Sequence, residues 1–356
     1  MRPVIICGGI GSKMWPASRK TLPKHFLPLV KGRSLFEINC QALRKKFSPS
    51  QIYVQTNKEQ AIIAKKQAPQ IPDKNYFIEP EMRNHGPATG FAAAKLFKIS
   101  PDEPFILIQA DLLREPEAAY LQTLGQIERV IKRSGKLVTG GERPKYAVMG
   151  IDYLEIGRRA KVAGKAKFFQ IKKWIWRDTK EKVKSYFDQR SVLAHWNHFS
   201  WTPRLTLEAY TKIKPDWGKP LVKMIAAFGT EKEERVIKRE YGKMPSGPVE
   251  EVSGHLAEKM YVAELPFSCT DFGTWESVDR YYQKSKRKSK DGNILEINSQ
   301  NCFVRKEKGK FTALIGVNNL AVVDTPDALL ICKKEQSGKV GEVVDFLFEK
   351  KKNEFL

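Results

Sequence analysis

Pro3-Val-Ile-Ile-Cys-Gly-Gly-Ile-Gly-Ser-Lys-Met-Trp-Pro16 is the stretch on which the fold turns. Residues 3–7 carry no polar interruption, the pattern of a strand buried on both faces. That run meets glycine at 8, 9 and 11 without any intervening spacer. A strand feeding a glycine loop opens an α/β domain. Gly8, Gly9 and Gly11 remove side chains where backbone must approach a ligand, their N–H groups can form an anion-binding concavity, and Ser12 and Lys13 add a hydroxyl and a positive charge. The spacing matches neither G-x-G-x-x-G nor G-x-x-x-x-G-K-[ST]. On the loop alone, a phosphate cradle and a tight strand-to-helix turn both remain open.

Working outward, short apolar runs at 51–55, 76–78, 105–109 and 136–139 repeat the grammar of the first, with helix-like stretches between them at 34–47, 57–67, 87–99 and 117–134. Such alternation predicts a doubly wound, mostly parallel, Rossmann-like sheet. Beyond residue 145 the pattern loosens into strands at 146–154 and 168–176, then helices at 179–188, 203–213, 217–228 and 230–239. The run Lys284-Ser-Lys-Arg-Lys-Ser-Lys290 has no apolar residue and reads as a linker over 284–291, separating a domain of residues 1–283 from one of residues 292–356. In the second, β-type runs at 294–297, 302–305, 312–315, 320–323 and 328–332 predict a small all-β coil resembling a β-helix, closed by a helix at 338–350.

Composition narrows the function. With 63 Lys+Arg against 40 Asp+Glu, a net charge of +23 and 41% hydrophobic residues, the chain folds into a core and is not intrinsically disordered. The basic residues are spread along the chain without interleaved aromatics, which argues against a nucleic-acid platform and for a solvated surface plus a phosphate site. No segment is long enough to span a membrane, and the apolar start is too short for a signal peptide. Five scattered cysteines with no C-x-x-C pair argue against a disulfide scaffold or a zinc site, and fit a reducing cytoplasm. Asp111 ends the apolar strand 105–110, where open α/β sheets bind ligands. Read from the residues alone, it is a metal ligand or a helix cap, and Asp271 is a metal ligand or a turn residue. His195 and His198 straddle Trp196-Asn197 without an evident acidic third member.

The loop continues as Trp15-Pro16-Ala-Ser-Arg19 and Leu22-Pro23-Lys24-His25-Phe26-Leu27. This resembles the G-G-x-G-[ST]-[RK]-x-W-P-x-S-R…P-K-[QH]-F-L signature of the sugar-phosphate nucleotidylyltransferases, and its Trp-Pro form resembles the mannose-1-phosphate guanylyltransferases among them. Phe77-Ile-Glu-Pro-Glu-Met-Arg-Asn84, Gln109-Ala-Asp111, Thr270-Asp-Phe-Gly-Thr-Trp275 and Ile315 to Leu329 are similar to further segments of that family, so the resemblance covers nearly the whole chain. It extends to no second enzymatic module. The resemblance implies attack by the phosphate of mannose 1-phosphate on the α-phosphorus of GTP, with pyrophosphate leaving. Lys13 would hold the leaving phosphates, and Lys24 would bridge the α-phosphate and the sugar phosphate. Asp111 and Asp271 would hold Mg²⁺. Gly8, Gly9, Gly11, Ser12, Glu79, Arg83 and Asn84 would frame the nucleotide, while Gly150, Asp152, Arg177 and Asn197 would take the sugar phosphate. A homodimer through exposed edges of the β domain is expected.

Departures cluster on the sugar side. Lys13 stands where the family has Arg, which keeps charge but loses the planar fork. Trp174-Ile-Trp-Arg-Asp178 replaces F-x-E-K-P, leaving Trp176 in place of a sugar-binding Glu and Arg177 in place of Lys. Gly150-Ile-Asp-Tyr-Leu-Glu155 puts Asp152 where the family has Gly, and Trp196-Asn-His-Phe-Ser-Trp201 loses another glycine. The nucleotide and metal parts are kept and the sugar-reading parts are altered. That leaves another hexose 1-phosphate, or a non-catalytic nucleotide-binding relative, as alternatives to mannose 1-phosphate.

Overall fold

The computed structural model describes the chain except residues 145–150, 177–178, 187–188, 190 and 285–292. Its centre is a nine-stranded sheet in the order β3-β2-β1-β4-β9-β6-β10-β8-β7. These strands are β1 (Arg2–Ile6), β2 (Tyr53–Thr56), β3 (Tyr76–Ile78), β4 (Phe105–Gln109), β6 (Leu137–Glu142), β7 (Tyr153–Ala160), β8 (Lys167–Ile175), β9 (Val192–Trp201) and β10 (Met260–Glu264). A separate antiparallel ribbon joins β5 (Leu112–Glu115) to β11 (Ser268–Asp271).

The continuous apolar reading of the first strand follows from burial on two faces. Ile5 of β1 and Ile106 and Ile108 of β4 enter one core, beneath the helices Leu35–Arg44, Lys58–Gln67 and Glu117–Ser134. Val4, Ile6, Phe105 and Leu107 enter the other, beneath the helices His85–Ile99, Pro203–Ile213 and Pro215–Ala227. The doubly wound α/β class is therefore borne out. The helix at Leu35 starts on a capping box, in which the Ser34 hydroxyl accepts from Glu37 N at 3.0 Å and the Glu37 carboxylate accepts from Ser34 N at 2.8 Å.

The expectation of a mostly parallel sheet holds for β3-β2-β1-β4 and needs correction beyond them. β9 runs antiparallel to both β4 and β6, β10 returns parallel to β6, and β8 and β7 form an antiparallel pair at the edge. The physical reason is the ten-residue β9, whose polar residues hide its strand character from a hydropathy reading and which inserts between the two halves. Of the sequence-read strand 146–154, only the part from 151 onward falls within the described residues, and β7 continues to Ala160.

The C-terminal part is a coil of parallel strands. β12 (Ile294–Ile297) pairs with β14 (Thr312–Ile315), and β13 (Phe303–Arg305) pairs with β15 (Leu320–Asp324). Both registers advance by 18 residues, from 294 to 312 and from 303 to 321. Asn298, Asn301 and Asn319 take positive φ, a conformation that asparagine tolerates better than most residues. Asn301 Nδ2 also donates to Asn319 Oδ1 at 2.6 Å, one coil above the next. β16 (Leu329–Lys333) closes the edge antiparallel to β15 and leads to the helix Val340–Glu349. This coil shares a buried core with the signature loop: Met14 and Trp15 pack with Trp275, Phe303, Ala321 and Val344.

Candidate active site

The carboxyl ends of all four parallel strands open into one cleft of about 800 Å³, and Gly8 after β1, Asn57 after β2, Glu79 after β3 and Asp111 after β4 line it. Gly9 and Gly11 have φ of 81° and 78°, a region that side chains other than Asn and Asp rarely enter. Gly11 has a second role. A Cβ there would lie 2.5 Å from Lys24 Cβ, so the bare backbone lets the lysine stem cross the loop and bring its ammonium into the cleft.

Lys24 Nζ lies 2.5 Å from Asp111 Oδ2. The ribbon register pairs Asp271 with Leu112 and so sets Asp271 beside Asp111. Burial opposes the Lys24 charge, yet the carboxylates of Asp111 and Asp271 outweigh it and hold the ammonium above its ordinary value. Burial likewise pushes the Asp111 carboxyl up, and Lys24, aided by His25 and His85, overrides that and brings it down to about 2. Asp271 moves the other way: desolvation by the cleft walls, then the Asp111 charge, raise its carboxyl against the pull of Lys24 and Lys13. Two crowded carboxylates, one of them made hard to ionise by the other, form a donor set suited to a hard divalent cation.

The other residues expected to frame the nucleotide also line the cleft, and Glu79, Arg83 and Asn84 have their side chains engaged. Glu79 accepts from Gln55 Nε2 at 2.8 Å and from the Tyr241 hydroxyl. Arg83 donates to Met244 O at 2.6 Å and to Glu81 at 2.9 Å. Asn84, at φ 66°, accepts from His85 N at 2.7 Å and starts the helix His85–Ile99. Ser12 and Lys13 line the cleft as well. The position of Gly341, in the C-terminal helix, lies 3.4 Å from Ser12 Oγ and 3.9 Å from Lys13 Cγ, measured from its ideal Cβ.

Of the residues expected to take the sugar phosphate, Asp152 lines the cleft and accepts from Trp174 Nε1 at 3.1 Å. Gly150 and Arg177 fall outside the described residues, and Asn197 is placed only by its backbone on β9. Trp176 does not fill the place of a pocket carboxylate. Its ring lies over Gly254, whose Cβ would come within 2.7 Å of it, and it is half exposed. The expectation that the histidines lack an acidic partner is corrected: ligand atoms of Asp152, His195 and Glu250 all lie within 4.8 Å of one another. These residues come from three separate segments, so adjacency in sequence does not show the grouping. His198 is used elsewhere, accepting from Arg114 Nε at 3.2 Å in the core.

The nucleotidyl transferase family model matches residues 2–163, and the model of a mannose-phosphate isomerase/GMP-like β-helix domain matches residues 292–347. A mannose-1-phosphate guanylyltransferase of Salmonella muenchen is 26% identical over 359 aligned positions, covering 99% of this chain and 74% of that protein. The xanthan biosynthesis protein XanB of Xanthomonas campestris pv. campestris strain B100 is 25% identical, covering 96% and 72%. For the fold, a crystal structure from Thermus thermophilus described as a mannose-1-phosphate geranyltransferase superposes with a TM-score of 0.80 at 21% identity, covering 97% of this chain and 98% of that one. Fold and cleft thus define a nucleotidyl transferase joined to a β-helix. Residues 2–163 match the nucleotidyl transferase family, and over nearly its whole length the chain is a homologue of proteins named mannose-1-phosphate guanylyltransferase. Among the described residues, no helix is long and apolar enough to cross a membrane.

Proposed function

We propose that this chain transfers GMP from GTP to mannose 1-phosphate, giving GDP-mannose and pyrophosphate. The observation that carries this reading is the Lys24–Asp111 pair, set at the carboxyl end of β4 beside Asp271 and facing a glycine loop. An oxygen of the sugar phosphate attacks the α-phosphorus of GTP, the bond from that phosphorus to the bridging oxygen breaks, and pyrophosphate departs with the electron pair. Transfer of this kind asks the protein for positioning and charge neutralisation, and no covalent intermediate is required. Backbone N–H groups of the Gly8–Gly11 loop cradle the triphosphate, with Ser12 and Lys13 at the leaving end. Lys24, kept protonated by its two carboxylates, sits between the α-phosphate and the sugar phosphate. The Glu79–Asn84 segment, braced through Tyr241 and Met244, shapes the nucleotide wall. Gly150, Asp152, Arg177 and Asn197 belong to the sugar-phosphate side of the proposal.

Asp111 and Asp271 would hold Mg²⁺, which when bound supplies further neutralisation of phosphate charge. A homodimer through the β coil belongs to the same proposal, supported by the outward-facing Leu295, Ile297 and Ile315.

The test is incubation with GTP, Mg²⁺ and mannose 1-phosphate while pyrophosphate is measured, with GDP-mannose formed in equal amount as the expected result. One observation favours a second reading, transfer to another hexose 1-phosphate: the Asp152–His195–Glu250 grouping, which none of the sequence motifs describes. A panel of hexose 1-phosphates decides between the two. Pyrophosphate release with none of them would overturn both.

A further inference from the structure

We propose that His195 and Glu250 join Asp152 as the residues that read the sugar hydroxyls, with Trp174 as their positioning residue; this rests on the reading that the cleft takes a hexose 1-phosphate. Asp152 precedes β7, His195 lies on β9, and Glu250 begins the short helix Glu250–Ser253. Strand pairing brings the first two together, for His195 N donates to Asp152 O at 2.9 Å and Tyr153 pairs with Ala194. Glu250 joins them from a third segment of the chain, and all three line the cleft.

Two of the three side chains are aimed by a neighbour. Trp174 Nε1 fixes Asp152 Oδ2 at 3.1 Å, and the same indole packs edge-on against the His195 ring, 4.7 Å between centroids. Thr139 Oγ1 holds His195 Nε2 at 2.8 Å, which leaves Nδ1 on the side of Glu250, 4.0 Å from its Oε1. That separation is too long for a direct hydrogen bond. A single hydroxyl placed between them can bond to both groups. Carboxylates accept from hydroxyls, and a neutral imidazole can donate or accept, so the group suits a polyhydroxylated ring. Trp196 lines the same cleft and offers an apolar face for such a ring. With Trp176 turned onto Gly254, the carboxylate on this side of the cleft is supplied by Glu250, from a different segment of the chain.

A site built to bond a hydroxyl rejects the analogue that lacks it, because its own polar groups are then left unpaired. The wild-type enzyme should therefore use at least one monodeoxy hexose 1-phosphate about a hundredfold less well than the parent sugar. Steady-state kinetics on the parent and its deoxy analogues, with GTP varied separately, test this in wild type, Glu250→Gln, Asp152→Asn and Trp174→Phe. Glu250→Gln should raise the KM for the sugar phosphate about tenfold or more, leave the KM for GTP unchanged, and erase the discrimination against one deoxy analogue. Trp174→Phe should raise the sugar KM with kcat at saturation retained. An active Glu250→Gln enzyme with unchanged sugar KM and unchanged deoxy discrimination would overturn the assignment. So would tight Mn²⁺ or Zn²⁺ binding, by calorimetry, that Glu250→Gln abolishes, since the group would then be a metal centre. A wild-type enzyme that turns over no hexose 1-phosphate would overturn the parent reading, and this one with it.

Discussion

Gly11 and Lys24 show how one missing methyl group sets up a charge. Gly11→Ala would force a φ near 78° on a residue with a side chain and push a carbon to 2.5 Å from the Lys24 stem. It should cost at least about tenfold in kcat by displacing the ammonium, in line with the cost of small misplacements of positioning groups; circular dichroism should show the fold kept, and a wild-type kcat would remove Gly11 from this role. Lys24→Ala should lower kcat more than it raises the KM for GTP, because a charge between two reacting phosphates matters most as charge redistributes in the transition state. An effect confined to the GTP KM would make Lys24 a plain nucleotide anchor. Asp111→Asn and Asp271→Asn should each reduce turnover about a hundredfold at saturating Mg²⁺, with little loss of fold. Near wild-type rates in either would take that residue out of the metal site. In the sequence these four residues stood out chiefly because the segments that carry them resemble a known family's. The sequence could not show Glu250, which follows the irregular stretch Lys243 to Val249 and opens a four-residue helix too short to have a period that reveals which way it faces.

At the level of elements, the parallel half was legible because physics leaves a strong trace there. A strand covered by helices on both faces favours apolar side chains, so β1 from Pro3 onward and β4 as far as Ile108 read as apolar runs. β9 was not legible as a strand, because His195 and Trp196 line the cleft and His198 joins the core network with Arg114 rather than advertise a buried face. The ribbon β5–β11 was missed for a related reason: each strand is four residues long and partly polar. Yet it is this ribbon that brings Asp271 to Asp111. Helix packing has its own sharp requirement at Gly86, where a Cβ would come 2.1 Å from the Trp217 ring. Gly86→Ala should destabilise the protein by about 1–3 kcal/mol or more through overpacking of two helices. Urea denaturation measures this, and a change under about 0.5 kcal/mol would mean the ring can move aside.

Across the whole molecule, burial of neutral histidines predicts how stability depends on pH. Burial draws His195 down to about 3, and burial together with the Arg114 charge draws His198 down to about 3, from an ordinary value near 6.5. The unfolded chain binds protons there that the folded chain refuses, so unfolding free energy falls as pH drops below about 6.5. Each histidine should account for roughly 2 kcal/mol between pH 7 and pH 5. Denaturation at the two pH values, in wild type and in His198→Gln, checks it; an identical pH slope in the two proteins would discount His198. The sequence placed the β coil correctly in the chain but gave no hint that it shares a core with the signature loop, since such contacts have no local pattern. Trp15 donates its indole N–H to Phe355 O at 2.9 Å and accepts at its own carbonyl from Trp275 Nε1 at 3.0 Å. The loop that carries Lys13 is thus pinned to residues made 260 and 340 positions later. During synthesis Trp15 leaves the ribosome 340 residues ahead of its anchor at Phe355. A nascent chain therefore carries the loop long before it can fasten it, and a product cut short ahead of Trp275 carries the loop without either hydrogen bond.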